Sequence, residues 1–268
     1  MSRVVISFIA VALLAAGAPL VAQAPAPAAP RQGAGQRGGQ QPPQSPRAIA
    51  PADFTGYWVS VVTEDWRWRM VTPAKGDYDS VPLNAVGRRE ADTWDPQRDE
   101  AAGETCRAYA APAIMRVPGR LHVTWQDEAT LRIDTDAGTQ TRLLRFAGSD
   151  PRLGSDPVNP KWQGQSVALW EPGAGGRRGS APVLGGSLKV VTTGMRPGYL
   201  RKNGVPYSAN AMLTEYYNGT HEDNGDSWMI VTTVVQDPRY LNGRFFTSSH
   251  FKKLPDASGW KPTPCSAR

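Results

Sequence analysis

The sequence predicts an all-β fold: an antiparallel meander of about ten strands that closes into a β-barrel, with one or two short helices. Runs rich in aromatic and β-branched residues, alternating apolar with polar, recur from Phe54 to Leu254. Most of these runs are separated by turns of hairpin length, so successive strands should pair antiparallel. A sheet of about ten strands curls, and closure into a barrel removes its exposed edges.

The strands are assigned where this alternation is clearest. Trp66–Met70, for example, alternates tryptophan with arginine, which would place both tryptophans on one face. A helix is expected from the Asn84 cap through Trp94, and a second, weaker helix or turn over Arg98–Tyr109. The predicted strands are Phe54–Thr63, Trp66–Met70, Leu121–Gln126, Leu131–Asp136, Thr139–Phe146, Lys161–Glu171, Ser187–Thr193, Ala209–Tyr217, Ser227–Val235 and Arg244–Leu254.

The chain is predicted to divide into three regions. Residues 1–22 have the charged start, short apolar run and small residues of a secretory signal peptide. Residues 23–50 are rich in proline, glycine and glutamine and lack aromatic side chains, so we expect a disordered linker. Residues 51–268 then form a single β-barrel domain, and the signal peptide predicts a periplasmic or secreted protein.

The charge distribution argues against a nucleic-acid partner. The formal net charge is +6, from 30 basic and 24 acidic residues. Four arginines precede the first acidic residue, Asp53, which leaves 26 basic against 24 acidic residues in the domain. No basic stripe that could follow a phosphate backbone is left. No segment is long and apolar enough for a transmembrane helix, and the oligomeric state stays open.

Cys106 and Cys265 are predicted to form a disulfide, because an even pair of cysteines in an exported domain is usually oxidised. Two cysteines are too few for a closed zinc site. The histidines at 122, 221 and 250 are not at the spacing of a ligand pair, so no metal site is assigned. Neither a Gly-x-Ser-x-Gly motif nor a phosphate-binding glycine loop is present, and no cofactor is predicted.

The first strand carries Gly56-Tyr57-Trp58, a Gly-x-Trp that resembles the first motif of the lipocalin or calycin superfamily. The resemblance implies a lipocalin-like barrel in which this tryptophan plugs the closed end. It also implies a basic partner from the last strand, here Lys252, Lys253 or Arg244.

The whole mature chain also resembles a group of uncharacterised exported bacterial β-proteins. The segments that carry this resemblance include Phe54–Trp58, Trp162–Ser166 and Leu213–Tyr216. It implies export and a β fold, and it brings no activity with it.

The best-defined local structure is a hairpin at Asn224-Gly225, the strongest two-residue hairpin signal. A type I′ turn there would pair residue 223 with 226, 217 with 232 and 215 with 234. We expect the more apolar face of this hairpin to line the barrel interior. Because side chains alternate faces, that face would carry Leu213, Glu215, Tyr217 and His221 opposite Trp228, Ile230, Thr232 and Val234.

Glu215, Tyr217 and His221 are the candidate catalytic residues. A carboxylate among apolar groups has a raised pKa, which suits a general acid or base near neutral pH. Two plainer interpretations stay open. Glu215 could simply accept a hydrogen bond from a buried tyrosine or arginine, and His221 could be solvated near the turn.

The candidate ligand-binding residues are mainly tryptophans. Trp66 and Trp68 could form an aromatic platform for a ligand. Arg67 and Arg69 could then stack on a ring of the ligand or bind its carboxylate. The alternative is a barrel strand with its tryptophans inward and its arginines in water. The complete set is Trp58, Trp66, Trp68, Trp125, Trp228 and Ile230.

These observations favour an exported lipocalin-like barrel that binds a small apolar or aromatic molecule in its mouth. The alternative is a cofactor-independent periplasmic enzyme, a lyase, isomerase or hydrolase, that uses Glu215 with Tyr217 or His221. In both cases the partner is a small molecule. A structural or surface-interaction protein would instead show no pocket.

Overall fold

Nine β-strands close into a barrel in the computed structural model, which describes residues 44–146, 160–172 and 186–268. The order around the barrel, by the numbers assigned below, is 1-11-10-9-6-5-4-3-2, and strands 7 and 8 form a separate two-stranded sheet. The all-β barrel prediction is confirmed. The strands are β1 Gly56–Val61, β2 Arg120–Asp127, β3 Thr130–Thr135, β4 Thr141–Arg145, β5 Gln165–Pro172, β6 Gly186–Thr193, β7 Gly198–Arg201, β8 Val205–Tyr207, β9 Met212–His221, β10 Ser227–Gln236 and β11 Phe245–Leu254.

One pair of neighbouring barrel strands departs from the predicted antiparallel meander. β4 and β5 pair in parallel, with Leu144 opposite Ser166, whereas the other barrel pairs are antiparallel. Parallel strands cannot be joined by a hairpin and need a longer crossover. The chain between Arg145 and Gln165 is long enough for one, and residues 147–159 within it lie outside the described residues.

The short helices are more numerous than predicted. Asn84 caps the second of them by accepting a hydrogen bond from the backbone N–H of Gly87 at 2.8 Å, as expected. The predicted strand at Trp66–Met70 is wrong, because this segment forms one helical turn that buries Arg69 and exposes Trp66. The helices are α1 Trp66–Arg69, α2 Ala85–Ala91, α3 Pro96–Ala101 and α4 Ala111–Ile114, with a 3-10 turn at Thr105–Tyr109.

The predicted register of the β9–β10 hairpin is wrong by one residue. The backbone N–H of Glu222 donates to the carbonyl of Asp226 at 2.8 Å, and Gly225 has a φ of 87°. This is a three-residue loop that ends in a left-handed glycine, not a two-residue type I′ turn. Tyr217 therefore pairs with Val231, and Glu215 pairs with Thr233. The shift turns Trp228 and Ile230 away from the face that carries Glu215.

Two apolar clusters fill the two halves of the core. One contains Trp58 together with side chains of most barrel strands. The other packs α2 and the β7–β8 hairpin against the strand positions Leu213, Val235 and Phe245. Trp58 is 2% exposed, and Lys253 of the last strand lies 5.4 Å from its ring centroid. This arrangement is consistent with the lipocalin-like resemblance, in which a basic residue packs on the Gly-x-Trp tryptophan.

The start of the described chain lies against the barrel. Ser45 donates a hydrogen bond to Glu128 at 2.7 Å, and Trp170 donates to the carbonyl of Pro46 at 2.8 Å. Residues 44–50 were assigned to the linker and make these contacts. The rest of the predicted linker and the predicted signal peptide lie outside the described residues.

Within the described ranges, no helix has both the length and the apolar character needed to cross a bilayer.

Candidate functional site

The structure brings Glu215 and Tyr217 together inside the barrel. The two carboxylate oxygens of Glu215 accept hydrogen bonds from both terminal nitrogens of Arg142, at 2.8 and 2.5 Å. The Tyr217 hydroxyl lies 3.3 Å from both Glu215 and Arg142. Arg142 and Glu215 are completely buried. Glu215 is thus the hydrogen-bond acceptor of an arginine and a tyrosine, which was the plainer of its two interpretations.

Burial and charge set the protonation of this interior group. Burial would lower the pKa of Arg142, but the charges of Glu215 and Tyr217 and the hydrogen bonds to them together outweigh burial and raise the pKa above its usual value. Burial, followed by the charge of Glu215, raises the pKa of Tyr217. Arg142 is therefore a permanent cation and Tyr217 a neutral phenol at physiological pH. Neither Arg142 nor Tyr217 therefore gains or loses a proton near neutral pH.

The third catalytic candidate lies elsewhere. His221 is exposed at the end of β9 and contacts Ser227 at 2.8 Å. It is the fourth residue after Tyr217, which corresponds to about 13 Å along a strand. The structure therefore does not bring His221 to Glu215.

The predicted ligand-binding tryptophans are dispersed. Trp58 is buried in the core, and its indole N–H donates to the carbonyl of Phe54 at 2.9 Å. Trp125 is stacked on Phe146 with ring centroids 5.7 Å apart. Trp66 is 67% exposed on α1, whereas Trp68 lines a small cavity. Trp228 and Ile230 are half-buried and face outward from the barrel, since they alternate with buried Met229 and Val231.

An open cleft of about 290 Å³ lies on the outer face of the sheet, over β2, β3 and β4. Tyr57 and His122 are register partners on β1 and β2, and their rings stack at 4.1 Å with an angle of 4°. Trp260 from the C-terminal tail meets them edge-on, with centroids 5.9 Å from Tyr57 and 6.3 Å from His122. We call this group, Tyr57, His122 and Trp260, the aromatic wall.

A charged pair forms the opposite side of the cleft. Arg132 donates two hydrogen bonds to Asp134, at 2.7 and 2.8 Å, and Thr141 donates a third to the same carboxylate. Burial works to raise the pKa of Asp134, but these hydrogen bonds and the charge of Arg132 lower it below its usual value. Asp134 is therefore ionised at neutral pH, and the cleft combines an aromatic side with a fixed ion pair.

The disulfide holds the tail that completes this cleft. Cys106 and Cys265 are bonded, with their Cα atoms 5.0 Å apart, as the even cysteine pair predicts. Beside the bridge, the backbone N–H of Thr263 donates to the carbonyl of Asp136 at 2.8 Å. Gln140, which lines the cleft, lies 3.5 Å from the Cys265 sulfur. These contacts fix Trp260 and Pro262 over the sheet.

No protein-family model, curated protein or solved structure matches this chain. The interpretation of the site therefore rests on its own geometry.

Sequence reasoning missed most of the cleft. Tyr57 and His122 were assigned to strands, but their stacking depends on the pairing of β1 with β2. Trp260 lies in a tail with no periodic pattern, and this tail is held on the sheet by the disulfide of Cys265 and by the backbone contacts of Thr263. The signal that could have found it was the predicted disulfide, which joins the tail to the body of the domain. In the described ranges, no cluster of three or more potential metal-ligand side chains occurs.

Proposed function

We propose that this protein is an exported barrel that binds a small aromatic molecule bearing hydroxyl groups, and that the ligand lies in the cleft beside the aromatic wall. The proposal keeps the class of ligand expected from the sequence and moves its site from the barrel mouth to the outer face. Export is supported by the signal-like start of the chain and by the disulfide.

The aromatic wall is the observation that carries this proposal. Three amphipathic rings converge on one cleft, and none of their polar groups has a hydrogen-bond partner within the described part of the chain. Stacked or edge-on aromatic contacts favour a flat ring, and the free phenol, imidazole and indole groups can bond its substituents. A volume of about 290 Å³ lies at the small end of ligand pockets, which suits a ligand of one or two rings.

The barrel interior offers less support for a ligand. Its described side chains form the two apolar clusters, and the Arg142–Glu215 pair lies between Leu213 of one cluster and Tyr217 of the other. A ligand in the barrel mouth stays a prediction. The enzyme alternative also stays a prediction, although Glu215 already has two hydrogen-bond donors and His221 lies apart from it.

Calorimetric titration with a matched pair of ligands tests the proposal. Catechol carries an aromatic ring and two hydroxyls, whereas its saturated analogue keeps the hydroxyls and lacks the flat π-system. We expect catechol to bind with a dissociation constant of about 1 mM or below and the saturated analogue to bind at least about tenfold more weakly, because it cannot stack. Glucose serves as a third probe.

Two tryptophan variants provide the control. Trp260→Ala removes part of the aromatic wall and should weaken catechol binding about tenfold. Trp66→Ala removes an exposed tryptophan outside the cleft and should leave binding unchanged. Equal binding of catechol by all three proteins, or tighter binding of glucose than of catechol, would contradict the proposed ligand class.

A further inference from the structure

A second, smaller cavity is lined by basic side chains. Its volume is about 30 Å³, and Trp68, Arg69, Arg116, Arg201 and Lys202 line it. The three arginines are each more than nine-tenths buried, at 7%, 5% and 3% exposure in that order. Buried charges are costly unless they are paired, so three guanidinium groups around one cavity require compensating anions. None of these residues lines the aromatic cleft.

Among the described residues, two of the three arginines have a carboxylate partner in a salt bridge. Arg69 pairs with Glu64, and Arg116 pairs with Asp65 at 2.8 Å. Arg201 instead donates to the backbone carbonyl of Asp79 at 2.8 Å and to the Ser80 hydroxyl at 2.7 Å, which are both neutral. Within the residues that the structure describes, Arg201 forms no salt bridge. Among the described residues, the charge of Arg201 is thus balanced only at longer range, by Asp65, Asp77 and Asp79.

The same arginines also hold unused hydrogen-bond donors. Nη2 of Arg69, Nη1 of Arg116 and Nε of Arg201 are buried and have no hydrogen-bond partner among the described residues. A buried donor of a charged group that stays unpaired is unfavourable. Three such donors on side chains that line one cavity form a set that an acceptor could satisfy together. This observation is independent of the charge count and indicates the same kind of ligand.

Burial and neighbouring charge weaken but do not remove the charge of Arg201. Burial first, and then the charge of Arg116, lower the pKa of Arg201 to about 10. Burial and the charge of Arg116 also lower the pKa of Arg69, although Glu64 opposes this. Arg201 therefore stays protonated at neutral pH. The neighbouring guanidinium groups repel one another, and an anion between them would relieve that repulsion.

We propose that this cavity binds an oxyanion, the carboxylate or phosphate group of a small molecule, with Arg201 as its principal partner. One water-sized atom needs about 10–15 Å³ of such a volume, so the cavity admits two or three atoms, such as the oxygens of a carboxylate or phosphate group. The rest of the anion would lie in the opening of the cavity, which is partly open to solvent. Trp68 fixes the guanidinium of Arg201 by stacking at 4.5 Å. Of the two arginines in the Trp66–Arg69 segment that were considered for binding a carboxylate, Arg69 lines this cavity. Arg67 lies outside the cavity and pairs with Asp77.

Thermal unfolding in matched salts tests this site. Wild type, Arg201→Gln and Arg67→Gln are melted in sodium chloride, acetate and phosphate at equal ionic strength. We expect acetate or phosphate, but not chloride, to raise the melting temperature of the wild type, and the more effective anion identifies the ligand group. Arg201→Gln should weaken that anion's affinity at least about tenfold, because charge-assisted hydrogen bonds are lost. Arg67→Gln, which alters the other cation stacked on Trp68, should respond like the wild type.

A nuclear magnetic resonance readout on the wild type decides the matter if Arg201→Gln does not fold. The Nε–H signal of Arg201 should shift and saturate as the effective anion is added. The Nε–H of Arg142 also lacks a partner among the described residues but lies inside the barrel, so it should not move. Equal melting temperatures in all three salts together with an unmoved Arg201 signal would overturn the proposal. Unweakened binding by folded Arg201→Gln would overturn it as well.

Discussion

Arg142 and Glu215 form a two-hydrogen-bond ion pair in which both side chains are completely buried. The pair joins β4 to β9 across two intervening strands. It lies between the two apolar clusters of the core, with Leu213 in one cluster and Tyr217 in the other. Desolvating such a pair costs free energy, and breaking it by removing one partner costs more. We therefore expect substitutions in this pair to change the stability of the fold.

Removing one charge of this pair should destabilise the fold strongly. Glu215→Gln keeps the shape of the side chain and leaves Arg142 buried without a counter-charge, so we expect the free energy of unfolding to fall by about 3–5 kcal/mol. Urea denaturation of the purified variant measures this. The double variant Arg142→Met with Glu215→Met removes both charges and should recover most of the loss. If Glu215→Gln is as stable as the wild type, the pair is not an energetic part of the core.

The disulfide should stabilise the domain and the cleft together. Cys106 and Cys265 are 159 residues apart, and replacing both by serine should lower the free energy of unfolding by about 2–5 kcal/mol. Because the bridge holds the tail that carries Trp260, catechol affinity should also fall at a temperature where the variant is still folded. Unchanged affinity in the folded variant would show that the backbone contacts of Thr263 suffice to hold the tail.

Alanine substitutions at two glycines with positive φ should distinguish the cost of backbone strain from the cost of steric crowding. Gly225 has a φ of 87° and open space around it, so Gly225→Ala should cost about 1 kcal/mol. Gly138 has a φ of 77°, and an added Cβ would lie 2.2 Å from the ring of buried Tyr109. Gly138→Ala should therefore cost about 1–3 kcal/mol more than Gly225→Ala. Equal losses in denaturant titrations would mean that Tyr109 moves aside freely.

The Asp134 carboxyl should make the free energy of unfolding depend on pH. Its pKa is lowered in the folded state, so it stabilises the protein above its unfolded pKa of about 3.9. That contribution is lost as the pH falls through the lower, folded pKa. Compared with Asp134→Asn, the wild type should hold a constant advantage from pH 7 to about pH 5 and lose it progressively below about pH 4. An advantage that grows on acidification would have the opposite sign and contradict this assignment.

The sequence predicted the strands well because side chains along a strand alternate between the two faces of the sheet, and most barrel strands bury one of these faces. The alternation is clearest in β6, where Leu188, Val190 and Thr192 are buried. It failed at Trp66–Met70, where a five-residue alternation proved compatible with a helical turn. It also failed on the β9–β10 register, because Asn-Gly occurs in both two-residue and three-residue loops.

The sites were less accessible to prediction than the strands. Glu215 was correctly expected inside, but its partner Arg142 depends on the order of β4, β5, β6 and β9, which no local pattern encodes. The aromatic wall depends on one strand pairing and one disulfide. The arginine cavity joins residues from three separate segments, and only Arg69 and Trp68 among them were singled out from the sequence.

The central claim, that the aromatic wall binds a small hydroxylated aromatic ring, is tested most directly by the tryptophan indole signals of the wild-type protein. In a nitrogen-15 spectrum titrated with catechol, the indole N–H of Trp260 should shift and saturate with the calorimetric dissociation constant. The indole N–H of Trp66, which lies outside the cleft, should stay in place. Saturable catechol binding that leaves the Trp260 signal unmoved would contradict the account.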